Sequence, residues 1–129
     1  MPKVILSLLL LMGTLGAEAQ EKSPGLVINE LMQSNIDCVM DDRNEFPDSW
    51  VELYNNSGET VALKDYRLGI GTKSDEAYLL PPVSVQTKGH ILVYCDRENT
   101  ILHTSFRLES GKGCTVYLFK WKEIVDSLH

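Results

Sequence analysis

A chain of 129 residues is one domain's worth, and with 43% hydrophobic and 23% charged residues it has an ordinary globular composition, neither disordered nor disulfide-dense. The net charge of −6, the pI near 5.0 and the lack of any long Lys/Arg run leave no basic face for neutralising phosphates, which speaks against direct nucleic-acid binding. Three His and three Cys are little raw material for a zinc or nucleophile site.

The chain opens as an export signal would. Lys3 supplies a positive start, residues 4–12 (VILSLLLLM) form a short apolar run, and Ala17-Glu18-Ala19 places small residues before a cleavage point. The apolar run is too short to span a bilayer. The expectation is a cleavable leader over 1–19, with an exported mature chain beginning at Gln20 in the periplasm, at the cell surface or outside the cell. Residues 20–25 (QEKSPG) are polar and carry Pro and Gly, as a flexible lead-in does.

From Leu26 to the end, short apolar or alternating runs are closed by turn residues. Strands are predicted at 26–32, 49–55, 60–63, 66–70, 78–80, 90–95, 105–108, 114–120 and 123–127. The turn signals between them include Asn55-Asn56-Ser57-Gly58, Pro81-Pro82, Lys88-Gly89 and Ser110-Gly111-Lys112-Gly113. No long window keeps a helical apolar stripe. The pattern predicts one all-β domain over 26–129, an antiparallel sandwich or barrel. Alternation places Val51 and Leu53, then Ile91, Val93 and Cys95, then Cys114, Val116 and Leu118 in one core, since the alternative face of the first run would bury Glu52.

Several segments, in order, resemble the lamin tail domain, in particular its exported bacterial branch. They include Val27-Ile28-Asn29-Glu30, Ser34-Asn35, Asp48-Ser49-Trp50-Val51-Glu52-Leu53-Tyr54-Asn55, Val61-Ala62-Leu63-Lys64-Asp65-Tyr66-Arg67-Leu68, the Leu80-Pro81 pair, the run from Gly89 to Tyr94, His103-Thr104-Ser105-Phe106-Arg107-Leu108 and Ile124-Val125-Asp126-Ser127. Ser49 is one residue more than the family's segment has between Asp and Trp, and Asp65 stands where Gly is usual. The resemblance implies an immunoglobulin-like β-sandwich used as an accessory binding or targeting module, found alone or beside catalytic domains. It implies no catalytic residues, so the expectation is a non-enzyme whose partner is a protein, a cell-surface glycan or a companion catalytic domain.

The residues themselves offer four constellations. The stretch 35–48 (NIDCVMDDRNEFPD) is acidic, and Asn35, Asp37, Asp41, Asp42 and Asp48 could supply oxygen ligands to Ca²⁺, although the spacing is not that of an EF-hand and no central Gly turns the loop. Trp50, Tyr54 and Tyr66 could form an aromatic platform for a sugar or protein, and Trp121, between Lys120 and Lys122, is a separate aromatic candidate. Cys95 and Cys114 share inward parity and are the candidate disulfide, leaving Cys38 over. Asn29 and Glu30 are polar within a strand and are expected to bond to backbone at a strand end or bulge. His90, His103 and His129 are isolated and read as surface or turn residues. No phosphate loop, G-x-S-x-G or H-E-x-x-H occurs.

Overall fold

The computed structural model describes residues 25–33, 41, 45, 49–108 and 114–129. The leader, the lead-in up to Pro24, the ligand candidates Asn35, Asp37, Asp42 and Asp48, and Cys38 lie outside the described residues. Within them the regular structure is almost entirely antiparallel β-sheet: β1 (Leu26–Met32), β2 (Trp50–Asn55), β3 (Val61–Ala62), β4 (Tyr66–Gly69), β5 (Tyr78–Leu79), β6 (Ser84–Val85), β7 (His90–Tyr94), β8 (Val116–Lys120) and β9 (Glu123–Leu128). The helical content described is two single 3-10 turns, Leu63–Asp65 and Ser74–Glu76. Among the described residues no helix is long and apolar enough to cross a membrane.

The strands form three sheets, ordered β1-β2-β7, β3-β6 and β5-β4-β8-β9. Inward residues of all three meet in one core: Ile28, Val51, Leu53 and Val93 from the first, Val85 from the second, and Leu68, Val116 and Leu118 from the third. The alternation expected for β2, β7 and β8 therefore holds, with Cys95 buried beside these and Ile91 and Cys114 packed against them. Phe119 is also buried but lies on the other side of β8, where Gly69 and Ala77 come close; a Cβ added at Gly69 would stand 3.0 Å from the Ala77 Cβ. Both faces of β8 are thus covered.

Strand boundaries differ from the sequence expectation by a residue or so, with two larger departures. Residues 105–108, expected as a strand, form a bend at 105–106 and irregular chain after it, and the short strand β6 follows the Pro81-Pro82 pair where only a turn was read. Its pairing with β3 is topped by a turn in which Lys88 has φ 62° and the Gly89 carbonyl accepts from Asn55 at 2.9 Å. A Cβ at Gly89 would stand 2.9 Å from the Gln86 carbonyl oxygen, so only glycine fits this approach.

Buried polar groups stitch the sheets' ends. Asn55 is wholly buried; its amide donates to the carbonyls of Glu59 (2.7 Å) and Val85 (2.9 Å), joining β2 to β6. In β1 a register shift between Ile28 and Glu30 leaves Asn29 as an extra, bulged residue. Its side chain donates to Glu52 Oε1 at 2.8 Å, so its partner is a side chain across the sheet, not the backbone that was expected. The Ile28 N–H donates to Asp126 Oδ2 at 2.7 Å, tying β1 to β9 in the other sheet.

Ser49, fully buried just before β2, makes the densest connection. Its hydroxyl donates to the Cys95 carbonyl (2.8 Å) and accepts from the Leu108 N–H (3.0 Å), while its own carbonyl accepts from the Cys95 N–H (2.8 Å). Ser49→Ala leaves two buried backbone groups without their partner and is expected to lower unfolding free energy by about 1–3 kcal/mol, read from the midpoint of urea denaturation at unchanged slope.

Candidate functional site

The aromatic residues singled out in the sequence do not share a surface. Trp50 is 5% exposed and Tyr66 7%, so neither is open to a ligand, and Tyr66 lies in a different sheet from Trp50 and Tyr54. Tyr54 is half-buried and stacks on His90 with ring centroids 4.5 Å apart. Trp50 and Tyr54 do share β2's Glu52 face by parity, but Trp50 is closed over rather than half covered. Its indole N–H has no hydrogen-bond partner among the described residues.

What the fold brings together instead is Asp41, Asp96 and His103. One ligand atom from each lies within 4.8 Å of the others. His103 is only 3% exposed, which corrects the expectation of a surface histidine, and Asp41 is 7% exposed, which takes it out of an open acidic loop. His103 Nδ1 stands 2.6 Å from Asp96 Oδ2. A carboxylate only accepts, so Nδ1 carries the proton there and donates it. The Tyr94 ring covers the imidazole at 5.1 Å.

Local geometry explains each position. Asp41 is bonded twice to Glu45: its N–H donates to the Glu45 carbonyl (2.7 Å) and its Oδ1 accepts from the Glu45 N–H (2.9 Å). Asp96 immediately follows β7 and Cys95. The loop then doubles back through Arg97, Asn99 and Leu102, which have φ of 67°, 55° and 62°, so that His103 returns over Asp96. Backbone bonds lock it there, Tyr94 N–H to Leu102 carbonyl and Thr104 N–H to Tyr94 carbonyl, both 2.8 Å. An imidazole and two carboxylates make a donor set able to hold a borderline divalent cation. Of the calcium candidates only Asp41 is among the described residues, and its neighbours here, Asp96 and His103, come from far along the chain. The one available sequence signal was the pairing of a short Asp-to-His interval with an acidic loop, and spacing alone does not predict it.

Trp121 forms a second site of a different kind. It is 65% exposed at the two-residue turn joining β8 to β9, and has φ 58° where Gly, Asn or Asp is usual. Its N–H donates to the Asp65 carbonyl at 2.9 Å, anchoring the turn to the neighbouring 3-10 segment. The Lys120 ammonium sits 5.7 Å from the Tyr66 ring and 5.9 Å from the Trp121 ring. Two shallow open clefts flank the indole, of about 540 Å³ beside Val125 and about 330 Å³ beside Leu79, Lys64 and Arg67. Leu79 and Val125 are exposed as well.

Compared with known proteins, the sequence matches no family model and no curated sequence.

Cys95 and Cys114 are both free thiols, not a bridged pair. Burial pushes the Cys95 thiol up from 9.0 to about 12. The folded protein therefore keeps this proton where the unfolded chain loses it: the stabilisation is intact below pH 9 and fades as pH rises from there towards 12. Tyr78, also raised by burial, acts in the same sense only above 10.0. Between pH 8 and pH 10 wild type is expected to lose about 1.4 kcal/mol more stability than Cys95→Ala, measured by urea denaturation at both pH values.

Proposed function

We propose that this protein is an exported, non-catalytic binding module, an immunoglobulin-like β-sandwich of the lamin-tail type, and that it works through the β8–β9 turn. The ligand is an acidic cell-surface polysaccharide. The observation that carries the reading is Trp121: a bulky residue at positive φ costs on the order of 1–3 kcal/mol, and exposing its ring gains nothing for folding. Glycine would serve the turn better. A side chain kept at such expense is explained by what it touches outside the molecule.

The chemistry around it selects the ligand class. An open indole offers a flat apolar face to the C–H face of a sugar ring, and the shallow clefts on either side suit an extended chain better than a compact ligand. Lys64, Arg67, Lys120 and Lys122 surround it and form no salt bridge among the described residues. Asp65, Asp75 and Glu123 line the same clefts, so four cations stand against three anions, a small local positive excess in a chain of net charge −6 that supports a polymer bearing carboxylate or sulfate groups. The leader-like N-terminus and the ordered lamin-tail segments support the export and module parts of the reading. The His103–Asp96 pair has the form of a base and its orienting partner, but burial keeps substrate from it, which supports a non-catalytic role.

The test uses the protein's two tryptophans, one buried and one exposed. Titration with an acidic polysaccharide such as polygalacturonate is expected to shift and quench the exposed Trp121 emission, with neutral dextran as the control. Trp121→Gly is expected to abolish binding while leaving stability unchanged or raised by up to about 1 kcal/mol. Trp50→Ala instead is expected to cost about 3–5 kcal/mol. Full polysaccharide binding by Trp121→Gly sinks this assignment.

A further inference from the structure

We infer that Asp41, Asp96 and His103 form a binding site for one divalent transition-metal ion of the zinc and manganese class, independent of the glycan surface. Three features point to an ion. The donors converge from separate stretches of chain, one atom of each within 4.8 Å of the others. Two of the three side chains are more than nine-tenths buried. The set mixes imidazole with carboxylate, which suits zinc and manganese, whereas calcium takes oxygen ligands alone.

The rearrangement needed is small. Ligand atoms around an ion with bonds of about 2.0–2.1 Å stand roughly 3.3 Å apart. His103 and Asp96, at 2.6 Å, open by a few tenths of an ångström, and since every pair lies within 4.8 Å, none closes by more than roughly 1.5 Å. The ion takes the place of the proton on His103 Nδ1, which passes through water to Nε2 or to the solvent. Asp41 comes from the connection between β1 and β2, where its N–H and Oδ1 are bonded to Glu45. His103 and Asp96 are fixed by the backbone bonds around Tyr94. Metal binding would then fasten Asp41, with Glu45 bonded to it, onto the end of β7, something a hydrogen-bonded pair of His103 and Asp96 does not do by itself.

The experiment takes the chain from Gln20, with the exposed His90 and His129 replaced by Asn so that they cannot bind zinc. Calorimetric titration of chelator-treated protein with zinc and with manganese is expected to give one ion per chain, and saturating ion to raise Tm by about 5 °C or more. His103→Gln and Asp96→Asn are each expected to weaken binding at least tenfold. Should either variant fail to fold, the ring resonances of His103 in the otherwise unaltered protein decide the matter, since they move on zinc addition only if the imidazole is a ligand. No uptake of zinc or manganese, uptake of calcium alone, affinity unchanged in both variants, or a motionless His103 spectrum each overturns the site and leaves a purely structural His–Asp pair.

Discussion

A buried hydroxyl governs one end of this molecule. Three stretches of backbone reach the same buried place at the start of β2, the end of β7 and the irregular chain at Leu108, and each arrives with polar groups that no sheet ladder satisfies. A backbone group left unpaired in such a place costs more than an ordinary hydrogen bond contributes. Ser49 resolves all three arrivals with one hydroxyl and its own backbone. A larger residue would not fit at zero exposure, and an apolar one would strand the Leu108 N–H. Because Cys95 is thereby pinned, Asp96 is pinned with it, and the reversal of the chain towards His103 begins from a fixed point.

The reversal is itself strained. Arg97, Asn99 and Leu102 occupy left-handed backbone within six residues, and Leu102 is neither small nor able to bond its own backbone as Asn can. A smoother exit from β7 would carry the chain away from the sheet. The strained one returns Thr104 to the Tyr94 carbonyl and lays His103 between Tyr94 and Asp96. Local conformational energy is thus exchanged for a buried charge-assisted pair, and the exchange is favourable only because neighbouring backbone bonds over-determine the loop.

Much of the sheet structure was legible in the sequence, because alternation is a local property. Val51 and Leu53 had to be inward once Glu52 was outward, and the same parity ordered β7 and β8. What parity does not carry is the second covered face of β8: Phe119 reads as outward until Gly69, with Ala77 beside it, is known to lie against it. Residues 105–108 alternate like a strand, yet the partner of Leu108 is a serine hydroxyl, not a neighbouring strand. Trp50 shares a face with the outward Glu52 and is buried nevertheless. The site was least legible of all. Asp41 was visible as part of an acidic run, but its meeting with Asp96 and His103 is made by sheet closure across more than fifty residues, and nothing local to any of the three residues encodes it.

Trp121 and His103 show the same reasoning from opposite sides of the surface. Both depend on left-handed backbone, at Trp121 itself and at Leu102 immediately before His103, and neither conformation is one that the residue would choose. At His103 the return is visible within the fold: burial, a short hydrogen bond and a ring contact offset the strain. At Trp121 the return within the fold is one backbone bond to Asp65, which any residue could make, and a loose lysine contact. The indole's own surface stays in water. Strain offset internally is evidence of architecture, while strain that the fold leaves uncompensated is the ground on which we propose a ligand at the exposed tryptophan rather than at the buried histidine.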